Sequence, residues 1–300
     1  MIKSDASERR GEVYALLLSL LEGFFPIFTL VTVAAYGAFY AYFYTIVIAT
    51  IVLLFLVWKK GLLAALSSSG ARKDLLLTSL FITSLFLLIF VALRYTNPGN
   101  VAVILVLQLF FSYLYFNVIG GDRLSLLHSL GAAMMGVGAA IILFPEDWQL
   151  NVGDLYALAA AAIAPVANYY QQRARRQVAS IVVLSFRNLV ALPFILLLAF
   201  LFEPWANPFS NMMALGYLLI NAGLIFVLAK ILWVESLHYI SITKLSAMAS
   251  FIPVFTMLFA WWLLGEMPGL RQIAGAVPVM AGAYLMTRRP VVVSPDRQVS

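Results

Sequence analysis

SITKLSAMASFIPVFTMLFAWWLLGEMPGLRQIAGAVPVMAGAYLMT, residues 241–287, decides the reading, because the chain carries this stretch twice. Moved back by 144 positions, it lies over Asn97–Leu143 without a gap. Gly265-Glu266 then falls on Gly121-Asp122, Gly275 on Gly131 and Gly282 on Gly138. Phe255, Leu258 and Ala283 meet Phe111, Leu114 and Ala139. Near the start of each half, Gly11-Glu12-Val13-Tyr14-Ala15-Leu16 matches Gly153-Asp154-Leu155-Tyr156-Ala157-Leu158. Any two apolar helices look alike, but glycines and acids held in register do not arise from apolar composition alone. A period this long, present twice, marks a duplicated domain and not a solenoid. The halves divide as residues 1–144 and 145–300.

Composition names the solvent. Of 300 residues, 63% are hydrophobic and 11% charged, with a mean hydropathy of +0.97. Soluble domains carry about 25% charged residues, so a water-soluble fold would lack the polar surface to cover its core. In lipid the backbone must satisfy itself within helices or a closed barrel. Barrels show short alternating segments; this chain shows long unbroken apolar runs, so the expectation is an all-α integral membrane protein. The net charge of +6 comes from basic residues in short loops and is not a nucleic-acid footprint. There is no cysteine, which excludes disulfides and thiolate metal sites. The polar start and the length of the first apolar run argue against a cleavable signal peptide.

Crossing a hydrocarbon core of about 30 Å takes about 20 apolar residues. Ten segments qualify: 13–34, 38–58, 74–93, 98–119, 125–144, 153–172, 178–201, 212–236, 241–264 and 270–287. With the N-terminus inside, fifteen Lys and Arg fall on the inner side and only Arg94 and Arg271 outside, with Arg187 and Lys230 within spans. Basic loops favour the cytoplasm, so both termini are expected there. Trp58, Trp148 and Trp205 sit near span ends, where indoles prefer the interface. Five spans per half is an odd number, so the second half is expected to be inverted relative to the first. Inverted repeats characterise many secondary transporters, with a midplane site and alternating access.

The whole chain resembles the EamA-type permeases of the drug/metabolite transporter superfamily. Ser241 to Pro253, continuing to Leu264-Gly265-Glu266, is similar to that family's ninth-helix signature: small residues, a mid-helix proline, then Gly-Glu. Asn97–Arg123 resembles its fourth-helix partner, with Asp122 in place of the usual Glu and Gln108-Leu109 where a proline is usual. The turn Asn151-Val152-Gly153-Asp154-Leu155 is also family-like. The resemblance implies a basket whose cavity is lined by helices 1, 3, 4, 6, 8 and 9, with 5 and 10 peripheral. It also implies export of amino acids or related metabolites, some members importing instead.

Charges inside a span cost about 2.5–3.5 kcal/mol each on insertion scales and are functional hypotheses by default. Glu22, Arg187, Lys230 and Glu235 qualify. Glu22, Arg187 and Lys230 lie at similar depth, so Glu22 is placed to pair with Lys230 or Arg187. Glu22 and Lys230 are expected to face the cavity and bind charged ends of a substrate or exchange a proton; a static pair locking two helices is the alternative. Lys230 has a third reading, since its stem can snorkel. Arg187 sits on a helix the resemblance places outside the cavity, so a structural role leads there. Glu235 is near the inner surface and can reach water. Among neutral residues, Gln108 with Ser112, Asn168 with Gln172, and Ser246 with Ser250 each share a helix face; Asn221 lies in the eighth span. Substrate contact and interhelical glue are both open for these, and Ser246 and Ser250 lean towards close packing. Pro26 and Pro253 are the hinge candidates, because proline removes a helix hydrogen bond. The glycine pairs Gly131/Gly138 and Gly275/Gly282 read as close packing.

No Walker loop is present, and no metal or cofactor is expected. The expected partners are a small-molecule substrate, membrane lipid and protons as a coupling ion, with no nucleic acid, in a monomer or weak homodimer. The expected place is a bacterial cytoplasmic membrane. Uptake of a vitamin or nucleoside-like nutrient is the alternative to export. A membrane enzyme would need a cluster of acids or histidines at one face, which the chain lacks.

Overall fold

The computed structural model describes residues 5–67, 70–118, 126–143, 151–240 and 242–287. Among them the chain forms helices and short connections, with no strand. In order these are α1 (Asp5–Glu22), α2 (Phe25–Tyr36), α3 (Ala38–Lys59), α4 (Arg72–Ala92), α5 (Pro98–Val106), α6 (Gln108–Tyr113), α7 (Leu126–Leu143), α8 (Val152–Arg175), α9 (Ser180–Phe202), α10 (Met212–Ile220), α11 (Lys230–Tyr239), α12 (Ile242–Ala249), α13 (Ile252–Leu264) and α14 (Leu270–Thr287). A π-helical stretch, Asn221–Ala229, joins α10 to α11 without a loop. A shorter one, Leu114–Val118, follows α6. Gly121-Asp122, Arg123, Trp148, Ser241, Arg288, Arg289 and Arg297 lie outside the described residues.

Among the described residues, seven helical stretches are long and apolar enough to cross a membrane, fewer than the ten spans expected. The other three expected spans fold as helices but fall short for identifiable reasons. α8 carries Asp154, Asn168, Gln171 and Gln172. The span 241–264 is split into α12 and α13, of 8 and 13 residues. α14 starts with Arg271 and Gln272 and contains Pro278. Large apolar side chains stand exposed along α9, among them Phe194, Leu197, Phe200 and Leu201. Such a face in water would be a patch far beyond what a soluble monomer shows; lipid makes it ordinary.

Packing joins the halves. α7 lies on α14, α3 on α9 and α5 on α13, while α4 lies on α8 and α1 on α11. At the α7–α14 seam a Cβ added to Gly138 would stand 2.5 Å from the Gly275 carbonyl oxygen, and one on Gly282 would strike the Gly131 carbonyl. The helices therefore touch backbone to backbone, which only glycine permits. A second tie runs from the end of α9 to the start of α3. The Glu203 carboxylate accepts from the backbone N–H groups of Ala38, Phe39 and Tyr40 at 2.7, 3.0 and 3.1 Å. Those donors have no partner inside α3, and the helix dipole favours an anion there. Arg94 stands 3.5 Å from the same carboxylate. Gly37 makes the preceding turn at φ +81° and ψ 166°, a region essentially reserved for glycine.

Candidate functional site

Two prolines shape the site. Pro26 has no N–H to give the Glu22 carbonyl four residues back. The helix is interrupted at Gly23-Phe24, and α2 restarts there. Pro253 likewise cannot bond the Ala249 carbonyl, and α12 ends at Ala249. Glu22 and Ala249 both line one cavity, as does Pro26; Pro253 is buried beside the break. Pro165, by contrast, lies inside a continuous α8.

The cavity encloses about 100 Å³. Its wall is mostly apolar: Ile82, Leu85, Phe86 and Ile89 of α4, and Ala102, Leu105 and Val106 of α5. Gln108, Asn168, Gln171 and Trp233 add polar groups, and three charged residues face in: Glu22, Lys230 and Arg187. Lys230 Nζ donates to Glu22 Oε1 at 2.5 Å, with both side chains under 10% exposed. The same ammonium lies 4.8 Å from the Phe86 ring centre and 5.4 Å from that of Phe25. Ring faces attract cations more strongly once both are out of water. Arg187 sits two turns into α9, 3% exposed. Its Nη1 donates to Gln171 Oε1 at 3.1 Å and its Nε to Asn188 Oδ1 at 3.4 Å. Its guanidinium carbon lies 5.8 Å from the Phe86 ring centre. Trp233 Nε1 donates to Asn168 Oδ1 at 3.1 Å, tying α11 to α8 across the wall.

The structure brings Glu22, Lys230, Gln108 and Asn168 into this cavity and leaves the other expected contacts outside it. Gln172 Nε2 donates to the Leu237 carbonyl at 3.0 Å, a tie between α8 and α11. Asn221, fully buried, donates from Nδ2 to Thr29 Oγ1 at 3.2 Å. Ser112 is buried on α6, and Ser250 is buried at the break after α12. The side chain of Ser246 lies outside the described residues. Glu235 meets Arg175 at 3.0 Å and accepts from Ser180 Oγ at 2.5 Å.

Two residues stand in the wall against expectation. Gln171 takes the place expected of its neighbour: positions 168 and 171, three apart, share a face as readily as 168 and 172. Arg187 stands in the wall although the resemblance puts its helix outside. α9 packs against α3, α4 and α8, which carries the start of α9 inward far enough for a long side chain to reach Gln171.

The model of the EamA-like transporter family matches residues 9–144 and again residues 151–288. The chain belongs to the EamA-like transporter family. Its site is thus a cavity in a transporter, with wall residues drawn from both matched stretches. An uncharacterized transporter of Archaeoglobus fulgidus is 24% identical over 259 residues, covering 82% of this chain and 86% of that protein. A solved crystal structure superposes with a TM-score of 0.68 at 20% identity, covering 94% of this chain and 96% of its own. At that identity the likeness is one of fold alone.

Proposed function

We propose that this EamA-like chain is a secondary transporter that moves a small organic metabolite, an amino acid or related compound, out of the cytoplasm by alternating access. The observation that carries the reading is the Glu22–Lys230 pair. It joins the first predicted span to the eighth and faces a cavity walled by both halves. A buried ion pair is a poor source of stability, since desolvation offsets most of its attraction. Its presence beside open space favours a working role, with Glu22 binding substrate or taking up a proton when it parts from Lys230. The reading further holds that ten helices form two inverted five-helix repeats. Support comes from the pairing of α7 with α14, α3 with α9 and α5 with α13, each joining numbered counterparts of the halves.

Counterflow of labelled amino acids and small organic acids in proteoliposomes tests the reading. Glu22→Gln should abolish flux while the protein stays folded and monodisperse. A variant that matches wild type in rate and in pH dependence would remove both the binding and the proton role. Pro26 and Pro253, at the two helix breaks, are proposed as the hinges of the cycle. In the same assay Pro253→Ala should slow flux severalfold while leaving ligand affinity unchanged; an affinity loss as large as the rate loss would end the hinge idea.

A further inference from the structure

The cavity's charges do not balance. Among the described residues, Lys230 and Arg187 face one carboxylate, Glu22, and that carboxylate is held by Lys230. Among the described residues no other acid lines the cavity; Asp74 meets Arg173, Asp154 meets Thr96 and Asn100, Glu203 meets Arg94 and the start of α3, and Glu235 meets Arg175. Arg187 is 3% exposed, yet its hydrogen bonds go only to neutral amide oxygens, through Nε and Nη1. A buried cation with no carboxylate in contact is costly unless something completes it. The planar fork of arginine matches a carboxylate or a phosphate with two parallel hydrogen bonds.

The geometry points to a small organic carboxylate as the transported ligand, its acid group on Arg187 and its carbon body against Ile82, Leu85 and Ile89. This assignment rests on the transporter reading and narrows its substrate from amino acids and related compounds to organic acids that lack the amino group. A monocarboxylate neutralises the one unmatched charge. A zwitterionic amino acid would bring an ammonium whose natural partner, Glu22, is already held by Lys230, and the excess would remain. A phosphate carries close to two charges and would overbalance the site.

Three probes of similar size and different charge test this on the purified full-length chain in detergent: L-lactate (anion), L-alanine (zwitterion) and isopropanolamine (cation). Affinity is read by equilibrium dialysis of the labelled compounds. Lactate should bind at least about tenfold tighter than alanine, and isopropanolamine should not bind. Arg187→Gln should lose lactate binding. Arg187→Lys, which keeps the charge but not the fork, should weaken it severalfold and serves where the glutamine variant fails to fold. Alanine binding as tightly as lactate, or lactate binding indifferent to both substitutions, overturns the assignment. Alanine counterflow without lactate binding also overturns it and leaves the transporter reading standing; lactate binding without flux of any compound does the reverse.

Discussion

Ion pairs tie α1 to the second half at two places, and the two places differ in almost everything but chemistry. At one end of α1, Glu8 and Glu12 reach Lys244 at 2.6 and 2.5 Å, with side chains more than a third exposed. At the other end, Glu22 holds Lys230 at the same distance, with side chains 7% and 9% exposed. Exposed pairs are worth about 0–1 kcal/mol, because solvent screens the attraction and ordering long side chains costs entropy. In a buried pair each ion depends on the other, so the loss of one strands its partner. The contrast teaches that distance alone does not grade a charge contact; the surrounding medium does. Arg175–Glu235, with side chains 17% and 25% exposed, falls between the two.

The contrast can be broken most directly at its buried end. Lys230→Met should lower unfolding stability in mixed micelles by about 3–5 kcal/mol, since Glu22 is left uncompensated. The double variant with Glu22→Gln should recover a large part of that loss. Additive losses would mean the two charges act independently and would dissolve the comparison. The rest of the gradient sharpens it. Arg175→Ala should cost about 1–3 kcal/mol by leaving a half-buried carboxylate one partner short. Lys244→Ala should cost less than about 1 kcal/mol, a loss that shrinks further in salt. Chemical unfolding of the three variants at low and high salt checks the order; a Lys244 effect equal to that of Lys230 would reverse the argument.

Much of this architecture was legible in the chain. Apolar runs forecast helices, the 144-residue register forecast two related halves, and the depths of Glu22 and Lys230 forecast a meeting that the structure contains. What stayed hidden is mostly rotational. Depth follows from counting residues, but the direction of a side chain around its helix changes by about a quarter turn per residue. That is why Gln171 and not Gln172 lines the wall. The π-helical stretch Asn221–Ala229 adds a second cause. Its i→i+5 bonding resets the facing of everything after it, including Lys230, and no residue pattern there announces it. Asn221, at the first residue of that stretch, is fully buried against Thr29 and not on the cavity. Arg187 was hidden for a different reason: how far α9 leans inward depends on its neighbours' bulk, not on its own residues. The breaks at Gly23-Phe24 and Ser250-Phe251 were easier, because the prolines two positions downstream name them.

The turn between α2 and α3 has a genetic consequence. Gly37 is fixed by two barriers of different kinds. A side chain there would stand 2.5 Å from the Glu203 carboxylate, and the backbone angles themselves belong to glycine. The first barrier is negotiable, since shortening Glu203 clears the space. The second is intrinsic to any L-residue, and no change elsewhere removes it. Damage at Glu203 is therefore open to suppressors that supply another acceptor for the three N–H groups of α3, while damage at Gly37 has no suppressor within reach. The dependence runs one way: the cap can be reinvented around the turn, and the turn cannot be reinvented around the cap.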